Sequence, residues 1–192
     1  MYLKFNNIFK QEYISSIRNT MYTLFNERKL GLENTEYIKN SVGLIDIPET
    51  LSDINLLNEI VLDNYGSKYK FTHTYSRIYF NGANLSLHVD RAGLDLSCSL
   101  TVYHNLQKSW PLNFSRKKIS DNPNYPSSLS IREKDQKVLQ DSSFKQSFES
   151  VNIEPNEMIF FDGRDYPHWR DKLECERHQH SMHIFYHWKI ND

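Results

Sequence analysis

The sequence predicts a mainly β fold, an antiparallel barrel or jelly roll, carrying a block of helices at its N-terminal end. Three observations carry this. Apolar residues recur every three or four positions in the first third of the chain. From Lys70 onward the period drops to two. The strand-like runs that follow are short, numerous and rich in aromatic and β-branched residues. A chain of 192 residues is one domain by length and large enough to bury a core. The expected division is helical support over 1–66 and a β core over 69–188, with an insertion at about 115–150.

In chain order, Ile14, Ile17, Met21 and Leu24 make a helical stripe within Phe9 to Arg28. Leu30 to Val42 fits neither period cleanly, with a second helical piece as one reading. Ser52-Asp-Ile-Asn opens another helix through Ile54, Leu57, Ile60 and Leu62, which should stop near Asn64-Tyr65-Gly66. Phe71 to Phe80 is a strand closed by the turn dipeptide Asn81-Gly82, and Leu85 to Asp90 is the next. Leu94 to Tyr103 is a third strand. Trp110-Pro-Leu-Asn-Phe is a short fourth, whose proline points to an edge or strand end. Ser115 to Ser142 is polar, charged and interrupted by two prolines. It reads as an excursion from the sheet, with a helix expected near Phe144 to Phe148; a lid or substrate loop and plain disorder are the two readings of such a length. Met158 to Phe161, Tyr166 to Arg170 and Arg177 to Trp188 return to the sheet.

Composition narrows the function classes. The formal charge is −1 and no long basic run occurs, so bulk electrostatics give no argument for nucleic acid. No stretch approaches a membrane span, and the first residues lack the layout of a signal peptide, so a cytoplasmic location is expected. Cys98 and Cys175 are the only cysteines and read as reduced thiols, Cys98 as a small core residue.

The chemistry concentrates at His88-Val-Asp90, which ends an apolar run. Residues two apart on a strand share a face, so this imidazole and carboxylate can grip one ion together. With one distant histidine they would form the 2-His-1-carboxylate triad of non-haem Fe(II) oxygenases, which leaves coordination positions open. His168, in Pro167-His-Trp-Arg after a glycine-containing turn, supplies that histidine 80 residues on (168 − 88). Arg177 follows after nine more (177 − 168), and a guanidinium fork suits capture of a carboxylate. A strand-end histidine bonded to its neighbouring aspartate, a surface turn histidine and a solvated arginine are the bland alternatives for these residues taken singly.

The ordered set Tyr79, Gly82, Leu85, His88 and Asp90, then a distal histidine and a basic residue, resembles the Fe(II)/2-oxoglutarate-dependent dioxygenases, most closely their prolyl-4-hydroxylase-like branch. Ser76-Arg-Ile-Tyr, Ser97-Cys-Ser-Leu-Thr and Trp110-Pro-Leu resemble small phage and bacterial members of that superfamily. The likeness spans Tyr69 to Trp188. It implies a double-stranded β-helix, Fe(II), 2-oxoglutarate and O2 as cofactor and cosubstrates, and release of succinate and CO2. His88, Asp90 and His168 map onto the catalytic iron ligands. Arg177 maps onto the cation for the cosubstrate's far carboxylate, and Tyr79, Tyr103 and Thr101 onto other positions of its pocket. The last strand departs from the pattern, because His178, His180, His183 and His187 crowd it. A turn one residue longer would point Arg177 outward and leave Arg170 as the cation. The resemblance implies hydroxylation of a peptidyl, prolyl-type C–H bond, with a free amino acid or small metabolite as the alternative substrate. The competing class is a non-catalytic cupin-like module that holds a metal or sugar; three ligands plus a cation would be superfluous there.

Overall fold

A computed structural model describes residues 2–28, 30–44 and 47–191. Its centre is a 20-residue strand that belongs to both halves of the molecule. The described residues form nine strands and three helices: β1 (Tyr2–Asn6), α1 (Gln11–Arg28), β2 (Ile38–Leu44), α2 (Ile54–Tyr65), β3 (Tyr69–His88), β4 (Leu96–His104), β5 (Leu112–Ser115), α3 (Ile131–Gln140), β6 (Phe148–Val151), β7 (Glu157–Phe161), β8 (His168–Arg170) and β9 (His180–Ile190). All pairings are antiparallel, in the order β1-β7-β4-β9-β3-β8-β5-β6, with β2 also on β3. This curled sheet is the predicted jelly roll, a double-stranded β-helix.

Asn81-Gly82 does not close a hairpin. The strand runs through it: β3 pairs with β9 from Tyr69 to Phe80 and with β8 from Leu85 to His88. Gly82 sits at φ 80°, a backbone conformation that glycine adopts without penalty, and a Cβ there would press to 2.7 Å from the Asn40 amide. The dipeptide is therefore a bend that carries one strand from one half of the barrel to the other. Leu30 to Val42 is not helical; its second part is β2, paired along β3. The strand β1 was not expected from sequence.

Alternation sorts the side chains of the β4–β9–β3 half. Leu96, Cys98, Leu100 and Val102 of β4, Met182, Ile184, Tyr186 and Trp188 of β9, and Ile78 of β3 pack outward against Ile14, Ile17 and Met21 of α1 and Leu57 and Val61 of α2. Full burial of each such large apolar side chain contributes about 1.5–3 kcal/mol. Gly66, at φ 86°, ends α2 where the sequence predicts, its N–H bonded to the Leu62 carbonyl. The opposite positions, Ser97, Ser99, Thr101, His183 and His187, are polar and buried, and turn into the barrel.

The other half is covered from outside by the insertion. Leu87, Val89 and Trp169, on the faces opposite His88 and His168, bury against Ile119, Tyr125, Val138 and Phe144. The excursion thus forms an outer wall with its own core, and its Ser120, Tyr125 and Lys134 also line a groove that reaches Asp90. The helix expected near Phe144 lies earlier, at α3, whose N-terminus is closed by a capping box between Ser130 and Glu133. Ser142–Lys145 is only a 3₁₀ turn, and Phe148 already belongs to β6. Among the described residues no helix is long and apolar enough to cross a membrane.

Candidate metal centre

His88 ends β3, His168 starts β8, and the two are direct register partners, with ring centroids 4.2 Å apart. Asp90 lies just past β3, where its N–H bonds to the Gly163 carbonyl at 2.8 Å. His88 Nε2 stands 3.9 Å and His168 Nε2 3.7 Å from Asp90 Oδ1, and one ligand atom of each residue lies within 4.8 Å of the others. Small rotations bring three such donors to the 2.0–2.2 Å typical of nitrogen and oxygen bonds to a divalent transition metal.

Backbone carbonyls set the donors. His88 Nδ1 donates to the Ser86 carbonyl at 2.9 Å, and His168 Nδ1 to the Tyr166 carbonyl at 3.0 Å. Each bond fixes the tautomer that leaves an Nε2 lone pair facing the centre. Burial, then the neighbouring His88, push the His168 pKa down to about 4 despite the Asp90 charge, so the imidazole is neutral and ready to ligate at neutral pH. Burial tends to raise the Asp90 carboxyl, but His168, His187 and His88 together with the Ser97 hydroxyl outweigh it and hold the pKa below the usual carboxylate range.

The triad opens into a cavity of about 170 Å³, lined at its far side by Tyr75, Arg77, Tyr79, Leu85 and Phe185. An open groove of about 520 Å³ reaches Asp90 from the other side. Lys68, Lys134 and Arg164 line it together with Asp95, Asp162 and Asp165.

The other expected site residues divide. Tyr79 is buried and lines the cavity. Thr101 points into the barrel, its hydroxyl 3.2 Å from His183 Nδ1. Tyr103 does not: the pairing register shifts between Thr101 and Tyr103, which turns its ring outward against Tyr22 and Arg18 of α1. Arg177 does not either. It lies exposed in the turn before β9, because that strand begins only at His180. Of the two arginines that flank the triad residues in sequence, Arg91 is exposed and Arg164 pairs with Asp95.

Two other arginines are buried in the barrel. Arg77 lines the cavity but is already engaged by Glu33 at 3.0 Å, by the Ser41 hydroxyl at 2.6 Å and by the Tyr75 hydroxyl. Arg170 is 1% exposed and shares the inward face of β8 with His168. Its Nη1 donates to the Trp110 carbonyl and its plane lies over the Trp110 ring, while Nε and Nη2 have no partner among the described residues. Burial pushes its pKa down to about 10. Gly163 and Ser97 were not singled out by sequence reasoning, though both lie in stretches that drew notice. A Cβ at Gly163 would stand 2.6 Å from Asp90 Cγ and closer still to Oδ2.

The double-stranded β-helix is shared with solved structures. A prolyl-4-hydroxylase from Pseudomonas putida superposes with a TM-score of 0.65 at 11% identity, over 99% of this chain and 92% of that one. The carbocyclase SnoK of nogalamycin biosynthesis, described as non-haem and α-ketoglutarate-dependent, gives 0.73 at 9% identity over 98% and 79%. HygX from Streptomyces hygroscopicus, solved with nickel and 2-oxoglutarate, gives 0.64 at 10% over 99% and 83%. At these identities the likeness establishes the fold. No family model matches the sequence. No curated protein matches it either.

Proposed function

We propose that this protein is an Fe(II)/2-oxoglutarate-dependent oxygenase that hydroxylates a C–H bond. The observation that carries the reading is the convergence of His88, Asp90 and His168, two imidazoles and one carboxylate, in a barrel that also buries an uncompensated cation. Two nitrogens and one oxygen on one side of an ion fit Fe(II) and leave its other side open. An enclosed, unpaired guanidinium is costly unless an anion completes it, and a 2-oxo diacid brings such an anion. In support, the solved structures that share the fold include prolyl hydroxylases and proteins solved with 2-oxoglutarate.

Fe(II) held by His88, Asp90 and His168 would supply the oxidising power that couples conversion of 2-oxoglutarate and O2 to succinate and CO2 with hydroxylation of the substrate. The chain's own residues do the rest. Ser86 and Tyr166 carbonyls orient the imidazoles. Arg170 takes the far carboxylate in place of Arg177, with Tyr79 beside it. Leu85, Phe161 and Phe185 keep the cavity apolar and exclude water. The cavity beside the triad, about 170 Å³, is below the about 300 Å³ at which pockets for drug-sized ligands begin. The open groove at Asp90, with charges of both signs, therefore supports an extended polar substrate such as a peptide over a molecule swallowed whole.

The test is anaerobic titration with Fe(II) and 2-oxoglutarate, followed by visible absorption. The parent should show a weak metal-to-ligand charge-transfer band and His88→Ala none. A folded parent without the band would leave a non-catalytic binding module as the better account. For the substrate, succinate release should rise with a proline-containing peptide and not with free proline.

A further inference from the structure

The histidines of β9 and the turn before it are not one cluster. His178 is exposed and His180 packs on Tyr22 of α1, while His183 and His187 turn into the barrel. His187 is the one that reaches the metal centre, through a single intermediary. Its Nδ1 lies 3.0 Å from Ser97 Oγ, and Ser97 Oγ lies 2.5 Å from Asp90 Oδ2. Direct register pairing of Ser97 with His187 places the two on one row of the sheet, so the contact is set by the strands and not by loop conformation.

Hydrogen-bond bookkeeping makes the direction unique. An ionised carboxylate only accepts, so the Ser97 hydroxyl must donate to Asp90. The hydroxyl oxygen then accepts from His187, which must carry its proton on Nδ1. Burial, opposed by Asp90 and assisted by His73 and Arg91, pushes the His187 pKa down to about 4, which keeps the ring in this neutral form. The His73 ring lies tilted against it, with centroids 5.0 Å apart. On the other side of Asp90 the Gly163 backbone closes in with no side chain.

We propose that Ser97 and His187 are positioning residues for the iron: they tie Asp90 through Oδ2, so that the carboxylate offers Oδ1 alone to the metal and leaves the remaining positions open. This rests on the metal role of Asp90 proposed above. A carboxylate free to rotate could take the ion with both oxygens and occupy a position that cosubstrate or dioxygen needs. Supporting groups of this kind typically carry a 10–100-fold effect on metal affinity or activity.

The experiment measures Fe(II) affinity anaerobically in the parent, Ser97→Ala, Ser97→Thr, His187→Phe and the double variant Ser97→Ala/His187→Phe. Thermal melting of each metal-free protein is recorded alongside. Ser97→Ala should weaken affinity 10–100-fold, Ser97→Thr should restore it, and His187→Phe should weaken it by a smaller factor. The double variant should be no worse than Ser97→Ala alone, because His187 acts only through the serine. Parent-like affinity in Ser97→Ala would overturn the inference, as would losses that multiply in the double variant. A parent that binds no Fe(II) would overturn the proposed function itself, a result distinct from either.

Discussion

Replacing Gly163 by alanine gives the sharpest test of how the carboxylate is held. The added methyl carbon would sit 2.6 Å from Asp90 Cγ and 3.2 Å from its Cβ. Carbon atoms in contact settle at about 3.5–4.0 Å, so the carboxyl carbon must retreat by about 1 Å. Metal–ligand bonds tolerate deviations of about 0.2 Å. The displacement is several times that, and Ser97 blocks an easy rotation by holding Oδ2. Gly163 does not sit at positive φ, so alanine meets no backbone strain, and the folding cost should stay within the about 1–3 kcal/mol of ordinary overpacking. Gly163→Ala should therefore fold yet bind Fe(II) at least 10-fold more weakly, by the measure of a disturbed ligand support. Anaerobic calorimetric titration with circular dichroism as the folding control reads both quantities. Parent-like affinity in a folded Gly163→Ala protein would refute the placement of Asp90 as a ligand pressed between Ser97 and residue 163.

Arg170→Met should raise the melting temperature of the metal-free protein, since an unpaired buried cation is replaced by an apolar chain, while 2-oxoglutarate affinity falls by about 10–100-fold through loss of a charged hydrogen-bond pair worth about 1.5–3 kcal/mol. Arg177→Gln should change neither; equal losses in the two variants would restore the exposed arginine to the site. The metal-free protein should lose stability as pH falls from about 6.5 to 4. His187 is held below its unfolded value, so the unfolded chain binds more protons in that window and stability rises with pH across it. Chemical denaturation at pH 7 and pH 5 should differ by about 2 kcal/mol from this histidine, with His183, also pushed well down by burial, adding in the same direction. His187→Phe should shrink the difference, and an unchanged pH slope in that variant would count against a buried neutral ring. Phe144→Ala should cost about 3–5 kcal/mol of stability and leave Fe(II) affinity intact, because Phe144 packs in the outer core on the faces opposite His88 and His168; weakened metal binding in the folded variant would show that this core also holds the ligands in place.

Period and short-range order determined much of this protein from sequence alone. The helices at Gln11–Arg28 and Ile54–Tyr65, the β-rich remainder and the His88–Asp90 pair follow from side chains three and four or two residues apart, a local property of the chain. His168 was also legible, since a turn followed by Pro-His-Trp presents a histidine at a strand start, and β8 begins there. Short-range pattern could not decide what happens at Asn81-Gly82, because a turn dipeptide and a bend within a strand have the same local signature. The pairing of β3 first with β9 and then with β8 settled it. The same holds for the cation and the pocket. A register shift at Thr101 and the late start of β9 turned Tyr103 and Arg177 away, and closure of the barrel brought Arg170, Ser97 and His187 inward instead. One residue of register exchanges the faces of a strand. That exchange is an outcome of tertiary pairing, which the order of the residues alone does not reveal.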